Sequence, residues 1–162
     1  MNERPEWYQL FKNMILDLSK RSTCIRKQVG AILVKDNRII SMGYNGVPKG
    51  HEHCYDHFKL KFESSKYSSL SDYIDSEDFR IEHAQYSDRE ELHAEQNMLT
   101  FCAKNGITTK DAEAYVTLSP CIHCAKMLYA SGISKVYYIE AYDRDMSGID
   151  FLIENGIDCM QI

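Results

Sequence analysis

Two short stretches constrain this chain more than anything else in it: His93-Ala94-Glu95 and Pro120-Cys121-Ile122-His123-Cys124. Histidine and cysteine are the nitrogen and sulfur donors that hold zinc in a tetrahedron, and a catalytic zinc keeps its fourth position for water. His93, Cys121 and Cys124 make three ligands, so the fold must bring two distant segments to one point. Glu95 stands two residues from the histidine, where a carboxylate can take a proton from a bound water and pass it on. A Cys-x-x-Cys alone is more often a structural knuckle or a buried pair. Three ligands, an adjacent carboxylate and no obvious fourth protein ligand favour an open, reactive site. His123 is poorly placed to join the same tetrahedron and reads as lining or solvent-facing.

Both stretches fall near helix starts. A helical pattern runs from about Asp88 to Lys104 and ends at Asn105-Gly106; another runs from Cys121 to Ala130 and ends at Ser131-Gly132. The partial positive charge of a helix N-terminus favours thiolate over thiol, and zinc ligands must be deprotonated. Pro120 suits a position at or just before a first helical turn, where a missing N–H costs nothing.

The rest of the chain reads as α/β. Residues 4–20 carry Trp7, Leu10, Phe11, Met14, Ile15 and Leu18 at helical spacing. Residues 29–34 and 38–44 are apolar runs around Lys35-Asp36-Asn37, which predicts a β-hairpin. The next residues, 43–50, hold three Gly and a Pro and form a shaped loop. Ala114–Leu118 and Val136–Glu140 are strands, residues 147–154 a helix, and a last strand lies near 157–162. Asn105-Gly106-Ile107, Ser131-Gly132-Ile133 and Asn155-Gly156-Ile157 repeat one helix-ending chemistry: Gly takes a left-handed cap and Ile packs back. The expected fold is a three-layer α/β/α arrangement with a five-stranded mixed sheet and helices on both faces.

One domain over residues 1–162 is the expectation for this length, with a loop-rich insertion at about 51–92. That insertion holds His51, His53, Cys54, His57 and His83, so a second metal is a plausible tie within it. A net charge of -5 argues against a surface that grips nucleic acid. With no signal-like N-terminus and no long apolar run, no membrane role and a reducing cytoplasm are expected. There, a Cys-x-x-Cys with a partner His is a metal site before it is a disulfide.

The pattern His-x-Glu…Pro-Cys-x-x-Cys is that of the zinc deaminases. The chain resembles the cytidine deaminase superfamily, and within it the deoxycytidylate (dCMP) deaminases. The second resemblance rests on Gly43-Tyr44-Asn45-Gly46-Val47-Pro48-Lys49-Gly50 and on Arg26-Lys27-Gln28-Val29-Gly30-Ala31. It implies zinc-dependent hydrolysis of dCMP to dUMP, a precursor of dTMP. Zinc activates water, Glu95 takes the proton, C4 of the cytosine is attacked, and Glu95 returns protons to N3 and the leaving amine.

The resemblance further implies that Asn45 contacts the sugar, with Ala94 and Tyr142 also at the substrate; Arg144 is a guess for the phosphate. It implies a homo-oligomer, a hexamer, activated by dCTP with Mg²⁺ and inhibited by dTTP. Arg26, Tyr44, Gly46, Pro48, Lys49 and Gly50 are the effector candidates. Some phage-type relatives hold a second, structural zinc, and Cys24, Cys54 and His83 match its pattern. His51, His53 or His57 is then the fourth ligand, with His57 preferred on loop geometry. Two other readings stand beside this one: a deaminase of tRNA adenosine or of a riboflavin-pathway pyrimidine, and an inactive zinc-stabilised binding module.

Overall fold

In the computed structural model, residues 4–142 and 145–162 are described. The elements run α1 (Trp7–Ser19), β1 (Gly30–Lys35), β2 (Arg38–Tyr44), α2 (Cys54–Glu63), α3 (Leu70–Asp75), α4 (Glu77–Glu90) and α5 (Ala94–Asn105). They continue with β3 (Glu113–Leu118), α6 (Ile122–Ala130), β4 (Lys135–Glu140), α7 (Ser147–Glu154) and β5 (Asp158–Gln161). The sheet order is β2-β1-β3-β4-β5. β1 runs antiparallel to both β2 and β3, and β3, β4 and β5 run parallel. This is the expected five-stranded mixed sheet. Asp36 and Asn37, both at positive φ, make the two-residue hairpin turn.

Hydrophobic burial accounts for the layering. On one face Phe11 and Ile15 of α1 cover Ile32, Val34 and Tyr115. On the other, the main core joins Ala31, Leu33, Ala114, Val116 and Val136 of the sheet to Met98, Leu99 and Cys102 of α5, Leu128 of α6 and Leu152 of α7. Gly106, Gly132 and Gly156 all take positive φ. The amides of Ile107, Ile133 and Ile157 reach back to the carbonyls of Cys102, Leu128 and Leu152. That is the six-to-one bond of a Schellman cap, repeated three times.

Two expectations need correction. Residues 51–92 are not loop-rich: α2, α3 and α4 occupy most of the stretch. Their interior is aromatic, with Phe58, Tyr73, Phe79 and Tyr86 packed around Cys24 and Cys54. The helix expected from Asp88 is two helices, α4 and α5, broken at Glu91–His93. There Leu92 exchanges both backbone hydrogen bonds with Gly46, at 2.9 and 3.1 Å, so these residues are extended. Among the described residues no helix is long and apolar enough to cross a membrane.

Candidate metal centre and substrate cavity

The parallel strands β3 and β4 set up the site. β3 ends at Leu118 and feeds Ser119, Pro120 and Cys121; Cys121 is the N-cap of α6, and Cys124 lies in its first turn. Across the cavity His93 caps α5, and its N–H donates to Gln96 Oε1 at 2.7 Å. His93 Nδ1 lies 3.7 Å from Cys121 Sγ and 3.4 Å from Cys124 Sγ. A tetrahedral zinc with Zn–S of about 2.3 Å and Zn–N of about 2.05 Å requires an N–S edge of about 3.5 Å. The three donors therefore fit zinc in both chemistry and spacing. His123 is exposed and stands outside the trio.

The protonation of the trio follows its geometry. Cys121 is held down at about 3, first by its hydrogen bond with Cys124 and then by His93. Cys124 is pushed above its ordinary range by that same contact and by burial. His93 is raised, chiefly by Cys121. Glu95, one residue into α5 and only 4% exposed, is raised by burial.

Glu95 and His93 line a cavity of about 300 Å³ together with Asn45, Ala94, Cys121 and Tyr142. Asn45 is held in place by backbone: its Oδ1 accepts from the Val29 N–H at 2.8 Å, and its Nδ2 donates to the Lys27 carbonyl at 2.9 Å. One N–H and one lone pair of the amide remain for a ligand. The Tyr142 N–H donates to Ser119 Oγ at 2.8 Å, which ties the loop after β4 to the metal loop. Sequence reasoning missed Ser119; its only signal is its position next to Pro120. Arg144 lies outside the described residues.

Of the effector candidates, Arg26 departs from the rest. It lines the same cavity as Glu95, whereas Tyr44, Pro48, Lys49 and Gly50 are exposed on the loop after β2. Gly46 is buried there, pinned to Leu92.

A second donor cluster sits beside the first. Cys24, Cys54, His83 and Glu91 are all buried, with one ligand atom from each lying within 4.8 Å of the others. His83 Nε2 is 3.3 Å from Cys24 Sγ and 3.5 Å from Cys54 Sγ. Glu91 Oε1 is buried without a hydrogen-bond partner, and burial raises its carboxyl. An orphaned carboxylate oxygen facing two sulfurs and an imidazole fits a metal ion. His57, preferred from sequence as the fourth donor, stands outside the cluster: its Nδ1 is 3.1 Å from Glu52, and its ring stacks on Tyr86. His51 and His53 are exposed and equally absent from it. The missed signal was that Glu91 falls two residues before His93, at the break between two helices.

The model of the cytidine and deoxycytidylate deaminase zinc-binding region matches residues 5–140. The chain is similar to the deoxycytidylate deaminase of Enterobacteria phage T4, at 36% identity over 90% of this chain and 84% of that one. It is similar to ComE operon protein 2 of Bacillus subtilis, at 36% identity over 99% of this chain and 73% of that one. Among solved structures, the dCMP deaminase of cyanophage S-TIM5 in complex with dCMP and dUMP superimposes with a TM-score of 0.74. The two are 31% identical, over 99% of this chain and all of that one.

Proposed function

The chain belongs to the cytidine and deoxycytidylate deaminase family, and we propose that it hydrolyses dCMP to dUMP and ammonia. One observation carries the reading: a trio of zinc donors, His93, Cys121 and Cys124, stands at a cavity that His93, Cys121, the buried Glu95, Asn45 and Tyr142 line. The dCMP and dUMP bound to the S-TIM5 relative support this choice of substrate.

His93, Cys121 and Cys124 hold the zinc, which when bound lowers the pKa of water enough to make it a nucleophile near neutrality. Glu95 accepts the water proton. It donates that proton at N3 as C4 is attacked, then takes the second proton from the new C4 hydroxyl and passes it to the departing amine, so that dCMP and water become dUMP and ammonia. One carboxylate serves both transfers because burial keeps it beside the reacting atoms. Asn45 orients the sugar, Ala94 packs beneath the ring, and Tyr142 closes the far wall. Cys24, Cys54, His83 and Glu91 would hold a second zinc, which would brace the segment before β1 against α2 and α4.

The product supplies dUMP for dTMP synthesis. Regulation by dCTP with Mg²⁺ and by dTTP belongs to this reading, through the loop that carries Tyr44, Gly46, Pro48, Lys49 and Gly50. So does a hexameric assembly. The reaction is placed in the cytoplasm, a reducing compartment in which metal-binding cysteines stay reduced. The test is ammonia release from dCMP, with and without dCTP and Mg²⁺, against CMP, deoxycytidine and an adenosine-bearing tRNA. Turnover of dCMP above all others is expected. Turnover of the tRNA with silence on dCMP overturns the reading.

A further inference from the structure

β3 and β4 pair in parallel as far as Leu118 and Glu140. The pairing continues past both strands in an altered form. The Ser119 N–H donates to the Glu140 carbonyl at 2.8 Å. In a regular parallel ladder the next donor, the Tyr142 N–H, reaches the carbonyl of that same residue. Here it reaches the side chain: the Tyr142 N–H donates to Ser119 Oγ at 2.8 Å. The next residue, Pro120, has no N–H to carry a ladder on. One hydroxyl therefore adds a tie to a residue two beyond the end of β4.

The tie lies in the wall of the cavity. Leu118, Ser119, Cys121 and Tyr142 all line it, and Ser119 is only 5% exposed. From behind, Gly148 approaches the Pro120 carbonyl oxygen so closely that a Cβ would collide with it. Ala141 packs against the main core. Ser119 and Pro120 are thus a fixed strut, and Tyr142 is fastened to it through its backbone amide. Among the described residues Ser119 Oγ is bonded to Tyr142 and to none of His93, Glu95, Cys121 or Cys124. A wall already in place favours binding, because a segment ordered only on contact loses part of the contact energy to ordering.

We propose that Ser119 is a positioning residue: its hydroxyl holds Tyr142 at the cavity before substrate arrives, and so sets nucleotide affinity more than the rate of the chemical step. The inference rests on the deaminase reading above.

The test takes the wild type, Ser119→Ala, Tyr142→Ala and the double variant. It records KM and kcat for dCMP, dUMP affinity by calorimetry, zinc content, and amide exchange at Tyr142. Ser119→Ala removes one oxygen and keeps the Ser119 N–H bond to Glu140, so the fold stands. One hydrogen bond corresponds to roughly 3- to 10-fold in affinity. Ser119→Ala is expected to raise the KM for dCMP and weaken dUMP binding by that factor. Its kcat and zinc content should stay close to wild type, and its Tyr142 amide should exchange faster. In the Tyr142→Ala background the same substitution should add little, because the two residues act as one unit. Equal effects of Ser119→Ala in both backgrounds overturn the inference. So does a loss confined to kcat, a loss of zinc, or an unchanged Tyr142 amide. A wild type that neither converts dCMP nor binds dUMP overturns the deaminase reading instead, while amide exchange still reports the tie.

Discussion

Glu91 shows how much a single residue's role depends on tertiary placement. Its neighbours His93 and Glu95 were legible from spacing, because a histidine, a carboxylate and a Cys-x-x-Cys announce their chemistry locally. Glu91 does not. It becomes a donor only because the chain is extended between α4 and α5, which turns its carboxylate toward Cys24, Cys54 and His83. His57 was the wrong choice for a matching reason: it lies on α2 near Cys54, but its ring is used against Tyr86. A carboxylate oxygen buried without a partner costs on the order of 1–3 kcal/mol unless something meets it, and a metal ion would do so. Glu91→Gln should lower the zinc content from about two to about one per chain, measured by atomic emission after dialysis. Retention of both ions would remove Glu91 from the second site.

The elements hold the site through close backbone approaches. Gly148, in the first turn of α7, faces the metal loop: a Cβ there would collide with the Pro120 carbonyl oxygen and lie 2.9 Å from the Cys121 carbonyl carbon. Backbone cannot yield as a flexible side chain does. Gly148→Ala should therefore displace the Cys121 segment, weakening zinc binding in chelator competition and lowering Tm by several degrees. Unchanged zinc affinity would show that α7 does not brace the loop. The hairpin, the helix ends and the strands of the core were readable because each carries its own periodicity or cap. The helices of residues 51–92 were not. Their apolar positions are few and spread over three short elements, so the aromatic cluster of Phe58, Tyr73, Phe79 and Tyr86 exists only once they pack.

Across the whole molecule, the sheet order explains why two donor clusters flank one cavity. β3 and β4 are parallel neighbours, so their carboxyl ends open side by side and deliver Ser119, Cys121 and Tyr142 to one place. β1 pairs with β3 on its other edge, and the segment before β1 brings Cys24, Arg26 and Lys27 to the same opening. The α/β class and the five strands were evident from the sequence, but pattern alone does not fix which strands are neighbours. That adjacency is what joins residues 24–29, 45, 91–95 and 119–142 into one site.

The central claim is that Glu95 moves protons in a zinc-dependent deamination of dCMP. The most direct measurement takes wild type and Glu95→Ala and records zinc content and ammonia release from dCMP on the same samples. Loss of a positioned general acid–base group costs about 10²- to 10⁴-fold. The wild type should convert dCMP to dUMP, and Glu95→Ala should fall by at least about 10²-fold with its zinc retained. A wild type with a filled catalytic site that leaves dCMP untouched, or a Glu95→Ala protein that turns over normally, would contradict the account.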